Sequence, residues 1–375
     1  MTTLRQNDTN SPPTGNGIVP GRGGALDLLR FLAAMLIVLY HFGQDAPVSL
    51  EALHPVFGRG YLATDFFLIL SGYVLGRAYG GQVLSGRIGP ARFLGKRIQR
   101  LWPAQLIVLA CLALIVMASG LVGISPQHPE NYTPQAFAMQ LVFAQAWGLP
   151  GGGGWNHQSW SLSALIVCYG AFPLLWSWIS RMKSSVAMLS LGMLAVVGGD
   201  LLCVALLGRP IYDLPFQLGL LRAMPLFLLG LCIARVVEQN KPSLIVAPLL
   251  GWLAAATLVL LQVAGRFDLA SIVAIAAVVL SCGRTPVAKP SRLIEEGAKL
   301  SFALFITHAV TGMLWFGALQ ALNARVDVPV GLQWALWAGS LPAALVMAIA
   351  FHHWVDTPVQ AWLARRLNPR QAAVA

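Results

Sequence analysis

Long apolar stretches recur along most of the chain and constrain its fold more than any other feature. A membrane-spanning α-helix needs about 20 mainly apolar residues, and ten stretches of the 375-residue sequence meet or approach that length. They lie near 25–43, 60–78, 103–122, 160–180, 186–208, 214–236, 243–264, 269–283, 299–320 and 332–354. With 57% hydrophobic and 10% charged residues, the chain lacks the polar surface that encloses a soluble globule. We therefore predict an all-α, polytopic membrane protein with about ten transmembrane helices.

The segments outside these stretches are short. Residues 1–24 are polar and rich in Pro and Gly, which predicts a disordered tail. Residues 25–360 form the predicted transmembrane domain, and 361–375 form a basic tail. The apolar stretch from Gln135 to Trp147 is too short to span and predicts an interfacial or re-entrant helix, ended by the glycines at 151–154. The five cysteines lack metal-ligand spacing, so no metal site is predicted.

The basic residues predict the orientation. If the N-terminus is cytoplasmic, 20 of the 25 Lys and Arg residues fall on the cytoplasmic side and four on the outer side, while Arg222 lies inside a span. This bias follows the positive-inside rule. It predicts a multi-pass membrane protein with cytoplasmic N- and C-termini. The net charge of +11 is then a consequence of topology, and nucleic acid is not an expected partner.

Ionisable side chains inside the spans are candidates for function because they are costly in lipid. Arg30 and His41 stand out, since eleven residues separate them by about 16 Å along a helix and place them on nearly the same face. Arg30 lies near the cytoplasm and His41 near the outer side. Histidine titrates near neutral pH and suits general base catalysis, although a single intramembrane histidine often has only a packing role.

Several motifs then occur in a specific order. They are LDLLRFLAAMLIVLYHF (26–42), GYLATDFFLILSGY (60–73), KRIQRLWP (96–103), WSLS (160–163) with Tyr169 and Pro173, RAMPLFLLG (222–230), SFALFITH (301–308) and VDTP (355–358). Together they resemble the acyltransferase-3 family of integral membrane acyltransferases, and the resemblance covers nearly all of the chain beyond residue 25.

The resemblance implies transfer of an acyl group, usually acetyl, from acyl-CoA to a carbohydrate hydroxyl. The expected acceptor is a saccharide or lipid-linked saccharide, such as a bacterial exopolysaccharide or O-antigen unit. Membrane lipid and polysaccharide-assembly proteins are expected partners, and acetyl-CoA is a donor substrate rather than a bound cofactor. The alternative from another class is a transporter or flippase of a polar or lipid-linked substrate.

The candidate catalytic residues are His41, Arg30, Asp65 and Ser71. His41 is expected to act as general base or acyl relay, Arg30 to anchor the donor, and Ser71 to bind the oxyanion or simply to pack beside Gly72. The candidate substrate-binding residues are Arg97, Arg100, Trp160, Ser163, Arg222 and His308. Arg97 and Arg100, together with Arg92, Lys96 and Arg30, suit the phosphates of CoA on the cytoplasmic side, although the positive-inside rule also explains Arg97 and Arg100.

One departure from the family pattern concerns an acidic residue. Many members have one two positions after the final Ser of WSLS, where this chain has Leu165. Asp65 is the nearest replacement by depth in the membrane, and we expect it to orient His41 if any acid does.

Overall fold

The structure, a computed structural model, describes residues 24–121, 129–151, 153–287 and 291–367. These residues form α-helices, 3₁₀ turns and one π-helical turn, with no strand among them. The helices are α1 (Ala25–Phe42), α2 (Leu50–Leu53), α3 (Leu62–Leu84), α4 (Pro90–Leu121), α5 (Pro134–Leu141), α6 (Trp160–Ile179), α7 (Ser185–Leu207), α8 (Gly219–Gln239), α9 (Val246–Val263), α10 (Asp268–Arg284), α11 (Arg292–Asn323), α12 (Val330–Phe351) and α13 (Thr357–Leu367).

Ten long helices follow the ten predicted spans in order. Eight helical segments within the described ranges are long and apolar enough to cross a membrane. The two remaining long helices are α3, which carries Asp65, Arg77 and four glycines, and α10, which has only 17 residues. Both pack against other long helices, α3 against α8 and α10 against α9. The prediction of an all-α polytopic membrane protein is confirmed.

The helix boundaries differ from the predicted spans at several places. α4 begins at Pro90 rather than near 103, and α11 begins at Arg292 rather than near 299. The length of an apolar stretch marks only the part of a helix that lies in lipid, so it does not reveal the polar turns with which α4 and α11 begin. α13 crosses the predicted boundary at residue 360. Of the predicted tails at 1–24 and 361–375, residues 1–23 and 368–375 lie outside the described residues.

The segment from Gln135 to Trp147 is helical only over its first part. α5 ends at Leu141, and the residues after it form an irregular segment that is hydrogen-bonded to α6. Thr133 caps α5 through its side chain, which accepts a hydrogen bond from the amide of Ala136 at 3.1 Å. The predicted short helix is therefore one element of a longer irregular segment on the predicted outer side.

Two glycines allow α3 and α8 to pack so closely that their backbones are in contact. A Cβ atom added to Gly72 would lie 2.1 Å from the carbonyl oxygen of Phe227, and one added to Gly230 would lie 2.0 Å from that of Ile69. Small residues support this kind of close helix packing in lipid, where the hydrophobic effect does not drive helices together. The α3–α8 pair also contacts α6, α7 and α10, so it lies at the centre of the bundle.

An ion pair joins the same two helices nearer their predicted outer ends. Both carboxylate oxygens of Asp65 accept hydrogen bonds from Arg222, at 2.7 and 2.8 Å, and the two residues are 0% and 5% exposed. Arg222 also donates to the carbonyl oxygens of Tyr212 at 2.8 Å and Tyr61 at 3.4 Å. A bidentate pair with further donors in use is the arrangement that a buried guanidinium requires.

The glycine contacts predict a position-specific loss of stability. We expect Gly72→Ala and Gly230→Ala to lower the unfolding midpoint in detergent micelles, because overpacking costs about 1–3 kcal/mol. The matched control is Gly81→Ala on α3, where a Cβ meets nothing within 4 Å and alanine favours the helix by about 1 kcal/mol. Equal midpoints for the Gly72 and Gly81 variants would contradict the close packing.

The ion pair predicts non-additive substitutions. Asp65→Leu or Arg222→Leu alone leaves a buried charge without its partner, which costs about 3–5 kcal/mol. The double variant removes both charges, so we expect its thermal unfolding midpoint to lie above that of either single variant. Additive losses in the double variant would show that the two side chains do not act as a pair.

Candidate active site

A cavity of about 330 Å³ opens among the ends of α1, α4 and α11 that lie on the predicted outer side. Its floor is formed by His41 and His308, and its rim includes Tyr132, Trp155 and His157 from the segment between α4 and α6. No Lys, Arg or Cys lines this cavity among the described residues. Imidazole side chains are therefore the titratable nitrogen bases that a molecule in the cavity meets.

Three histidines from three different elements meet at this floor. The His41 ring, in the last turn of α1, is stacked on that of His308 with centroids 5.3 Å apart and an interplanar angle of 25°. The His157 ring, in a 3₁₀ turn before α6, meets His41 edge-on at 5.4 Å and 83°. His308 is completely buried, His41 is partly exposed, and His157 is exposed. The three rings thus lead from the protein interior to the cavity rim, with His41 in the middle.

The hydrogen bonding of His308 fixes its tautomer. Its Nδ1 lies 2.7 Å from the carbonyl oxygen of Phe305, and since a carbonyl only accepts, Nδ1 carries the hydrogen. Its buried Nε2 has no hydrogen-bond partner among the described residues. A backbone carbonyl thereby orients this imidazole, the task that a carboxylate performs in many catalytic histidine pairs.

A buried network of amide side chains holds the turn that carries His157. The Ser159 hydroxyl accepts hydrogen bonds from Gln105 at 3.1 Å and Gln145 at 3.0 Å. Gln140 donates to the carbonyl oxygen of Gly154 at 2.5 Å and accepts from the amide of Asn156 at 3.1 Å. All five side chains are completely buried. The network connects α4, α5 and the start of α6, so buried hydrogen bonds fix the position of the turn that carries His157.

Trp160 and Ser163 from the WSLS motif serve the same segment. The Ser163 hydroxyl donates to the carbonyl oxygen of Phe143 at 2.5 Å and accepts from the amide of Ala146 at 3.1 Å. The Trp160 ring covers Gly219, where an added Cβ would lie 2.3 Å from it. Neither side chain lines the cavity. The structure places both in packing and hydrogen-bonding roles around α6.

The other predicted catalytic residues on α3 lie away from the three histidines. The Asp65 carboxylate is occupied by Arg222, and the Ser71 hydroxyl donates to the carbonyl oxygen of Phe67 at 2.7 Å within its own helix. Asp65, Ser71 and Arg222 are absent from the lining of the cavity. The expectation that Asp65 orients His41 is corrected: matching depth in the membrane does not place two side chains on facing sides of their helices. Leu165 is buried in apolar packing.

On the predicted cytoplasmic side, the arginines differ in how firmly they are engaged. Arg100 donates two hydrogen bonds to Asp356, at 2.6 and 2.9 Å, and so joins α4 to the π-helical turn His352–Asp356. Arg97 donates to the hydroxyl of Tyr79 and lies over its ring, 4.6 Å from the centroid. Arg30, near the start of α1, is partly exposed and lies 3.4 Å from Asp27.

The sequence pattern indicates His41 and His308 but gives no sign of His157 or Asp45. His157 lies between spans, where polar residues are common, so its position carries no signal. Asp45 follows α1 directly and is the one carboxylate that lines the cavity, counting only described residues. The buried amides of Gln105 and Gln140 were also missed, since amides in a sequence do not show whether they are buried.

Comparison with known proteins agrees with this architecture. The family model described as an acyltransferase domain, Acyl_transf_3, matches residues 24–353. The chain is 25% identical over 373 residues to Acyltransferase MdmB of Streptomyces mycarofaciens, an alignment that covers 90% of this chain and 92% of that protein. No solved structure matches.

Two further relatives are similar over parts of the chain. Protein 2 in picA locus of Rhizobium radiobacter is 37% identical over 134 residues, which cover 35% of this chain and 64% of that protein. The putative membrane-bound transacylase BcsY of Komagataeibacter xylinus is 32% identical over 88 residues, covering 24% and 19%. The family match spans most of the chain, so this protein belongs to the acyltransferase-3 family and is a membrane-spanning acyltransferase.

Proposed function

We propose that this acyltransferase moves an acyl group, acetyl in the simplest case, from acyl-CoA to a hydroxyl of a carbohydrate at the outer side of a bacterial inner membrane. The observation that carries the proposal is His41 between two other imidazoles at the floor of the cavity. The donor, the carbohydrate acceptor and the membrane come from the family resemblance and the charge bias of the loops. Bacterial surface polysaccharides, such as an exopolysaccharide or O-antigen unit, are the acceptors we favour.

His41 is the base in this proposal because it is the floor imidazole that substrate can reach. A nitrogen of His41 takes the proton of the acceptor hydroxyl as that oxygen attacks the thioester carbonyl. The tetrahedral intermediate then collapses, the C–S bond breaks, and the same proton passes from His41 to the departing sulfur. The products are the acyl ester and CoA with a free thiol, so atoms and protons balance. A transient acyl group on His41 would give the same products in two steps.

His308 would act through His41 rather than on the substrate. Its ring is completely buried and held by the carbonyl of Phe305, so it presents a fixed aromatic face 5.3 Å from the His41 ring. This stacked ring of fixed orientation restricts the rotation of the His41 imidazole. His308 is therefore proposed as a positioning residue in place of the acid that the family pattern would have at Leu165.

The donor side of the proposal uses the cytoplasmic end of α4. Because α4 begins at Pro90, Arg92 and Lys96 lie one helical turn apart on one face, and both are exposed. Arg97 lies beside them, while Arg100 is engaged with Asp356. With Arg30 at the start of α1, these cations offer the phosphates of CoA a positively charged site. The acyl-bearing arm would then extend along α1 towards His41.

The proposed roles predict different losses for two adjacent histidines. We expect His41→Phe to lower kcat for acetyl transfer by about 10²–10⁴-fold, because a general base contributes about that much. His308→Phe keeps a buried aromatic ring beside His41, so the expected loss is smaller, about tenfold. The measurement is release of CoA thiol by purified protein with acetyl-CoA and a saccharide acceptor.

The control for this pair is His353→Phe, which changes an exposed histidine outside the cavity and should leave kcat unchanged. Unfolding midpoints of all three variants show whether each remains folded. A folded His41→Phe protein with wild-type transfer would overturn the role proposed for His41.

A further inference from the structure

A second cavity of about 240 Å³ adjoins the first on the predicted outer side. The two cavities share Asp45, Phe316 and Gln320 in their linings. The second continues between the ends of α11 and α12, where Asn323 and Trp337 line it. A ligand that reaches His41 from the outer side can therefore extend from the first cavity into the second.

The shared wall and the second cavity offer polar groups that the protein leaves unused. The side chains of Asp45, Gln320 and Asn323 form no hydrogen bond or ion pair with any described residue. Gln333 donates to the carbonyl oxygen of Val328 at 2.8 Å, which leaves its own amide oxygen available. Carboxylate and amide groups are the side chains that recognise hydroxyls, because together they accept and donate hydrogen bonds.

An aromatic wall is held in place beside these polar groups. The Trp337 indole nitrogen donates to the carbonyl oxygen of Phe42 at 2.7 Å, so α12 is fixed to the end of α1 next to Asp45. The ring is buried against this end of the helix. A rigid aromatic side chain beside unpaired hydrogen-bonding groups gives the mixture of apolar contact and orienting polar contact that small-molecule sites use.

The charge and the hydrogen-bonding groups of the lining exclude two kinds of occupant. No Lys or Arg lines either cavity among the described residues, and Asp45 is a carboxylate. Phosphates and uronic acids would meet a negative charge without a compensating cation. A lipid tail would leave the amides and the carboxylate without hydrogen-bond partners. A neutral saccharide satisfies both conditions.

From this we infer that the second cavity is a subsite for the neutral sugar residue adjacent to the one that is acylated. The acceptor is then a neutral saccharide of at least two residues, with its reacting hydroxyl at His41 and its neighbouring residue against Asn323 and Trp337. This inference rests on the proposed function, because it names the substrate class of that same site.

The test compares acceptors of two lengths. The probes are the methyl β-glycosides of glucose, galactose and N-acetylglucosamine and their β-1,4-linked disaccharides, with methyl β-glucuronide as the acidic comparison. Acetyl-CoA is the donor, and the full-length protein is used in lipid nanodiscs. We expect kcat/KM to be about tenfold higher for a disaccharide than for its monosaccharide, and the glucuronide to be the poorest acceptor.

The test variant is Asn323→Phe, which fills the second cavity from an exposed helix end. The matched control is Ala324→Phe, at the next residue, whose side chain does not line the second cavity. We expect Asn323→Phe to remove the advantage of the disaccharide and to leave the monosaccharide rate unchanged, while Ala324→Phe preserves the advantage. Asn323→Ala, which removes the amide without filling the space, should reduce the advantage in part.

The remaining outcomes separate this inference from the proposed function. Equal kcat/KM for both lengths in the wild-type protein, or an equal loss for both in Asn323→Phe, overturns the subsite and leaves acyl transfer to carbohydrate standing. If the folded wild-type protein acetylates none of these saccharides, the carbohydrate acceptor is overturned, and the subsite with it.

Discussion

The Asp65–Arg222 ion pair is the interaction on which the arrangement of the central helices depends. A charge inside a membrane protein must be paired with another charge or with backbone groups, and here both carboxylate oxygens and three guanidinium donors are used. The pair sets how α3 and α8 are rotated against each other, while Gly72 and Gly230 set how closely they pack. Helices α6, α7 and α10 then pack around this pair, and α1 contacts α3.

The second constraint is the polar interior beneath the irregular segment between α4 and α6. Water is scarce at this depth, so each buried amide needs a partner within the protein. Gln105, Gln145 and Ser159 provide such partners for each other. This network allows non-helical backbone to lie over the helix ends and brings His157 to the cavity rim. The site thus combines two histidines on rigid helices with one on a loop that packing holds in place.

The number and order of the long helices follow from the sequence because an apolar stretch of about 20 residues marks a helix that can span the membrane. The order of the ten long helices was predicted in this way, and the scarcity of charge directed attention to His41 and His308. Their contact across α1 and α11 was not predictable, since a single helix sequence does not show which helix lies opposite. The same limit explains Asp65, which lies at a depth comparable to His41 but on a helix face turned towards Arg222.

The roles of the signature motifs also become more specific. In WSLS, Ser163 binds backbone groups of the irregular segment. In KRIQRLWP and VDTP, Arg100 and Asp356 bind each other, although 256 residues separate them. These motif residues hold helix ends together, while His41 and His308 line the cavity. The motif residues closest to the proposed chemistry are therefore those of α1 and α11, and the cations that remain available for a donor lie at the start of α4.

The proposed function requires that the cavity catalyse acyl transfer rather than the movement of a substrate across the membrane. Purified protein in detergent micelles separates the two, because transport has no meaning without two compartments and catalysis needs none. With acetyl-CoA and a neutral disaccharide, we expect CoA thiol and O-acetylated saccharide in equal amounts, with thiol release dependent on the saccharide. No thiol release in micelles, combined with saccharide movement across vesicles that contain the protein, would contradict the proposed function.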